Sequence, residues 1–189
     1  MKWVRLPLCL DWIATNFPDI KIVQVIRHPA PLFLSWQARD WSPELGLQTL
    51  LQQDALMNGP LAGFQDTICN STTYWQMAGA FWGAITYMQM KAHRPSWILK
   101  EHEWNCSDPI TGIRWLVDQL ELEWNADIDD FLSEDRCIAS GPGYSVKRNS
   151  QTEITKWHSK ITPAELDELF TNIEPFDLPF YLQNNYNDV

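Results

Sequence analysis

The stretch "IVQVIRHPAPLFLSW", residues 22–36, decides how this chain is read. Ile22, Val23, Val25 and Ile26 are β-branched and nearly contiguous, which predicts a buried strand over residues 21–26. The strand delivers a bare cation, Arg27, and then His-Pro. Eight residues after Arg27 comes a lone hydroxyl, Ser35, in an apolar run. A cation at the C-terminal edge of a buried parallel strand lies where open α/β folds take ligands. Its guanidinium can fork two hydrogen bonds to a phosphate. Pro29 and Pro31 interrupt the path, and a helix is expected to resume over residues 32–39. Ser35 then falls in its first turn, where backbone amides and the helix dipole favour an anion. Arg27 and Ser35 can thus grip one phosphate from two sides. The plainer reading is that Arg27 pairs with a surface carboxylate and Ser35 is a small packing residue; spacing alone does not choose.

Outward from this stretch, helices dominate. Leu8, Leu10, Trp12, Ile13 and Phe17 share a helical face. Ser42-Pro43-Glu44 is a helix start, with a hydroxyl cap and proline at the first position, and that helix is expected to run to about Met57. Asn58-Gly59-Pro60 stops it. A long helix is expected over residues 73–93, ended by Pro95, and a strand over 96–103. Asp108-Pro109 caps a further helix, and Thr162-Pro163-Ala164-Glu165 is a capping box that opens a last one. Residues 140–150 form a loop rich in Gly, Ser and basic side chains. Strands alternating with helices predict an α/β fold with parallel pairing. Two strands make a poor sheet, so part of it is expected to be missing from the chain.

The 189 residues suit one domain with a real core. With 45 % hydrophobic and 20 % charged residues the chain is globular. A net charge of −10 argues against a nucleic-acid or membrane-surface binder, but leaves room for a local cationic pocket. Cys9, Cys69, Cys106 and Cys137 are far apart, form no CxxC pair, and read as free thiols in a reducing compartment. No Cys/His spacing suggests a metal. The first apolar run is broken by Asp11, so it fits neither a signal peptide nor a lipoprotein box, and no run reaches transmembrane length. A cytoplasmic protein is expected.

The ordered motifs resemble the PAPS-dependent sulfotransferases, in their bacterial-type branch. "VIRHPAPLFLSW" (25–36) looks like the family's 3′-phosphate-binding motif: a strand, Arg, a Pro-containing turn, then Ser eight residues on. "FPDIKIVQVIRHP" (17–29) resembles the approach strand. "SWILKEHEWNCSDPITGIRWLVDQLELEW" (96–124) resembles the late strand, His-Glu, Asp-Pro helix start and "LxLxW" ending. "KRNSQTEITKWHSKITPAELDEL" (147–169) is similar to the C-terminal loop and "LTPEE"-type helix, and "PFYLQNNY" (179–186) to the "FYPDLW"-like end. The match spans nearly the whole chain, and its weight lies in order and spacing.

The resemblance implies a P-loop NTPase-like parallel sheet flanked by helices, helix-rich and lacking the first strand. It implies that Arg27 and Ser35 bind the 3′-phosphate of 3′-phosphoadenylyl sulfate (PAPS), with Arg148 and Lys147 reaching back from the basic loop. For these two, a solvated loop charge pair is the competing reading. The implied activity is sulfuryl transfer from PAPS to a hydroxyl or amine of a small-molecule, sugar or lipid acceptor, with no metal. The family's P-loop turn, which cradles the 5′-phosphosulfate, has no counterpart here, and "VRLP" (4–7) resembles the "VKDP"-type segment well inside the family domain, with Arg5 for lysine and Leu6 for a polar residue. Residues 1–189 therefore read as a single, N-terminally truncated sulfotransferase domain, or as a non-catalytic remnant serving as an interaction module. An in-frame Gly-x-x-Arg/Lys-Ser/Thr segment upstream of the start codon would decide for the truncated enzyme. No catalytic base is assigned: His28 reads as a brace for the turn, Glu103 as a structural ion-pair residue, and Trp157 as a core pin. Trp36, Trp41, Trp75 and Trp82 read as helical core before acceptor pocket. An exposed sheet edge predicts that the 189-residue chain alone is marginally stable or aggregates. A sharp thermal transition with monomeric elution would contradict that.

Overall fold

The computed structural model describes residues 7–125, 128 and 154–181. A 3-10 turn at Pro7–Cys9 leads into α1 (Leu10–Asn16), followed by β1 (Val23–Ile26) and α2 (Pro29–Gln37). Three short helices follow: α3 (Glu44–Leu51), α4 (Asp54–Met57) and α5 (Gln65–Asn70). The long α6 spans Tyr74–Ala92. Then come β2 (Ile98–Glu101), α7 (His102–Ser107), α8 (Pro109–Gln119) and α9 (Pro163–Thr171), and a 3-10 turn at Glu174–Phe176. β1 and β2 pair in parallel, with Val23 opposite Ile98 and Ile26 opposite Glu101. Among the described residues this is a helix-rich α/β arrangement around a two-stranded parallel sheet.

Local chemistry sets most helix ends where the sequence puts them. Thr73 caps α6 and Thr162 caps α9, each in a reciprocal capping box with Gln76 and Glu165. Asp108 accepts from the Thr111 amide and opens α8 before Pro109. Two expectations are corrected. The helix expected over 44–57 breaks after Leu51 and resumes as α4, so it is two shorter pieces. α2 begins at Pro29, not near Leu32. Proline is tolerated in a first turn because those amides have no intrahelical acceptor. His28 serves as the cap, its Nδ1 accepting from the Ala30 amide at 3.2 Å.

β1 is also less uniformly buried than its β-branched run suggests. Gln24 and Ile26 are buried, whereas Val25 is 49 % exposed. Gln24 is satisfied on the buried side. Its Nε2 donates to the Gln89 carbonyl at 3.2 Å, and its Oε1 accepts from His93 Nδ1 at 2.6 Å. A buried amide with both ends paired is tolerated where an unpaired one is not. These bonds fix β1 to the C-terminal end of α6.

α6 is the centre of the core, and it packs so closely because of two glycines one turn apart. A Cβ on Gly79 would lie 2.2 Å from the Leu169 carbonyl of α9, and one on Gly83 would lie 2.3 Å from the Phe176 ring. The large side chains that close the core here are Phe33, Leu61, Ile68, Leu169 and Phe176. At the N-terminal end of α6 the Thr73 hydroxyl both accepts from Gln76 and donates to Glu168 of α9, so the cap also pins the two helices. Gly79→Ala is expected to cost about 2–3 kcal/mol, because the clashing atom is backbone and cannot rotate away. Gly63→Ala, with nothing within 4 Å, is expected to be neutral or slightly stabilising. Urea denaturation of the pair measures the contrast; equal midpoints would overturn it.

Candidate functional site

At the C-terminal end of β1 the chain turns from Ile26 through Arg27 and His28 into α2. Three distant segments converge on this turn. From α6, Trp82 Nε1 donates to the Arg27 carbonyl at 3.1 Å. From α7, which follows β2 directly, Glu103 accepts the His28 amide on Oε1 at 3.1 Å. From the C-terminal segment, the Tyr181 hydroxyl donates to Glu103 Oε2 in a short bond and lies 3.4 Å from the Ile26 carbonyl. Burial raises the Tyr181 hydroxyl pKa most, the Glu103 carboxylate adds to the rise, and nearby Arg27 opposes it. A phenol that stays protonated is the donor this carboxylate needs.

His28 is buried at 6 % exposure and its ring stacks on Trp157 at 4.5 Å, with Tyr181 edge-on at 4.9 Å and Phe170 at 5.9 Å. Burial, then the positive fields of His158 and Arg27, push its pKa down to about 3. It is a neutral brace with its Nδ1 lone pair already used by Ala30, in keeping with its expected role. Trp157 is core, as expected. Glu103 is 13 % exposed and lies 4.0 Å from His102 Nδ1, a pair when that imidazole is protonated; beyond the expected ion-pair role it accepts from a backbone amide and a phenol.

Arg27 is half-buried, and its Nε is buried with no acceptor within reach. No carboxylate pairs with it among the described residues. That is unusual, since buried donors are almost always satisfied. It leaves a fixed positive charge and an unused donor at the edge of the parallel pair, as an anion site requires. Ser35 is not in the first turn. It is the seventh residue of α2, and its hydroxyl accepts from Arg39 Nη1 at 2.5 Å. No hydrogen bond joins it to Arg27 among the described residues. Lys147 and Arg148 lie outside the described residues. Trp157, nine residues beyond Arg148 in the sequence, stacks on His28 next to Arg27.

Of the tryptophans expected in the helical core, Trp75 and Trp82 are buried, Trp36 is half-buried and Trp41, at 57 % exposed, is not core. Cys9 and Cys69 are free thiols, and Cys106 Sγ lies 3.4 Å from His102 Nδ1. An apolar cleft of about 320 Å³, lined by Phe64, Tyr87, Met90, Lys91 and Phe176, lies along the C-terminal part of α6. Among the described residues no group of three or more His, Cys, Asp or Glu is placed to hold a metal, and no helix is long and apolar enough to cross a membrane. Sequence reasoning missed Tyr181 and Trp82 as parts of this site. Tyr181 stands 155 residues from Ile26, and no local pattern reports such a pairing.

No protein-family model, curated protein or solved structure matches the chain.

A neutral folded-state His28 makes stability pH-dependent. The unfolded imidazole takes up its proton near its ordinary value of 6.5, while the folded one holds out to about 3. The contribution is therefore complete above pH 6.5 and is lost as pH falls from there toward 3, at up to about 1.4 kcal/mol per pH unit. Arg27 and His158 act on the ring through their charge, Tyr181 packs against it and Glu103 accepts the His28 amide; all four are unchanged in His28→Asn, which keeps a capping oxygen but does not titrate. Denaturant titrations from pH 7 to 4 should show a shallower acid slope for the variant than for the parent; identical slopes would rule out a neutral buried His28.

Proposed function

We propose that this chain is a cytoplasmic PAPS-dependent sulfotransferase domain of P-loop NTPase-like fold, with Arg27 as the ligand of the donor's 3′-phosphate. The observation that carries the reading is the buried, unsatisfied Arg27 Nε at the C-terminal edge of the parallel strands. The motif order around it supplies the chemical class. In this reading Arg27 donates to the 3′-phosphate and the Ser35 hydroxyl donates to a second oxygen. Lys147 and Arg148 add charge from the loop that leads into Trp157. The acceptor is a hydroxyl or amine of a small molecule, sugar or lipid.

Sulfuryl transfer is an in-line displacement. An acceptor oxygen or nitrogen forms a bond to sulfur as the bond between sulfur and the 5′-phosphate oxygen breaks. The electron pair leaves on that phosphate oxygen, and the acceptor's proton passes to a base. Arg27 and Ser35 hold the nucleotide so that sulfur faces the acceptor; they do not touch the breaking bond. His28 is unsuited as the base, since its accepting nitrogen is engaged within the turn.

One observation favours a second reading, a non-catalytic sulfotransferase-like module. Tyr181 lies across the strand end with its hydroxyl on Glu103, so the chain's own side chains fill part of the crevice a nucleotide would use. Calorimetry with adenosine 3′,5′-bisphosphate and a transfer assay with PAPS separate the two. The enzyme reading expects the protein to bind the bisphosphate. Arg27→Ala should weaken binding about 10- to 100-fold, the size of a lost charge-assisted hydrogen bond. Equal binding by Arg27→Ala would refute it, and a cooperatively folded protein that neither binds nor transfers would establish the module.

A further inference from the structure

We infer that Arg39 is a positioning residue for the phosphate, orienting the Ser35 hydroxyl and adding a second positive charge beside it; this rests on the reading of Ser35 as a phosphate ligand. Helical hydroxyls usually turn inward and donate to the carbonyl four residues earlier. Thr15, Thr49 and Ser71 do so here, bonding to the carbonyls of Asp11, Leu45 and Thr67 at 2.7–2.8 Å. Ser35 departs from this pattern. Arg39 Nη1 donates to its Oγ at 2.5 Å and to its carbonyl oxygen at 2.7 Å. A serine hydroxyl has one hydrogen to give and two lone pairs to accept with. With Arg39 on a lone pair, the O–H is the capacity left for an incoming oxygen acceptor.

Arg39 is held in this posture by the way α2 ends. The Trp41 amide donates to the Trp36 carbonyl at 3.0 Å and the Asp40 amide to the Gln37 carbonyl at 3.1 Å, with Asp40 at φ 55° in the left-handed region. This Schellman closure returns Trp41 toward Trp36, ring centroids 6.1 Å apart. The Trp41 ring then lies 5.9 Å from Arg39 Cζ. A guanidinium fixed between a hydroxyl and an indole loses little freedom when an anion arrives. A cation and an oriented O–H on α2, with Arg27 at the strand end, suit a phosphate monoester dianion better than a singly charged group.

The test is calorimetry on the full chain with two probes, adenosine 3′,5′-bisphosphate and adenosine 5′-monophosphate, which lacks the 3′-phosphate. Arg39→Ala should weaken the bisphosphate about tenfold and leave the monophosphate unchanged. Arg39→Lys, which keeps charge and a donor, should recover part of the loss. In a Ser35→Ala background Arg39→Ala should cost clearly less than it does alone. Arg39→Gln, which keeps an N–H donor, serves if Arg39→Ala does not fold. Parental bisphosphate affinity in Arg39→Ala, or equal loss of both probes, overturns the inference while leaving Arg27 as a ligand. If the unmodified protein does not prefer the bisphosphate, the function reading and this inference fall together.

Discussion

Residues 79 and 83 of α6 have no side chain, and the rest of the core is arranged around that fact. With a backbone carbonyl of α9 at 2.2 Å from where a Cβ would sit, and the Phe176 ring at 2.3 Å from the other, the C-terminal part of the chain lies directly on α6. Close-packed interiors pass such a constraint along, because neighbours cannot shift without opening voids. α9 seated at this depth carries Phe170 to the His28 ring, and the segment after Phe176 carries Tyr181 to Glu103 and Ile26. On its other side α6 grips β1 at two points, Gln89 and His93 on Gln24 and Trp82 on the Arg27 carbonyl. One helix thus fixes both the strand and the C-terminal segment that covers the strand's end.

The electrostatics of that end follow from the packing. Burial keeps His28 uncharged, so the turn does not place two cations side by side. Glu103 is held by an amide and a phenol instead of by the guanidinium, and Arg27 keeps a buried donor without an acceptor. A charge left uncompensated in a partly desolvated place costs stability. An anionic ligand would relieve that cost, and this ties the fold's energetics to the proposed function.

Much of the fold was legible along the chain, because helix boundaries depend on neighbours within four residues. The boxes at Thr73 and Thr162 and the Asp108 cap are of this kind; the strands expected over 21–26 and 96–103 form at 23–26 and 98–101, with His102 and Glu103 taken into α7. The start of α2 was misread for a local reason: Pro29 and Pro31 look like breakers, yet the first turn of a helix does not need their amides. The site was legible in part. The strand-end position of Arg27 and the bracing role of His28 could be named from one strand–turn–helix stretch, whereas Ser35 lies in the second turn of α2 and not in its first. Tyr181, Trp82 and the acceptor role of Glu103 could not, since each reaches the turn across 55 to 155 residues.

By itself the sequence determined that a cation follows β1, that a helix comes after a proline-containing stretch, and where the long helices start, because those are properties of short segments. Only the tertiary structure decided which way that strand faces, with Gln24 in and Val25 out. It also decided which carboxylate leaves Arg27 alone and which arginine holds Ser35. Those outcomes depend on which surfaces meet. Here that was set by how closely α9 can approach two glycines, a distance no local pattern of residues contains.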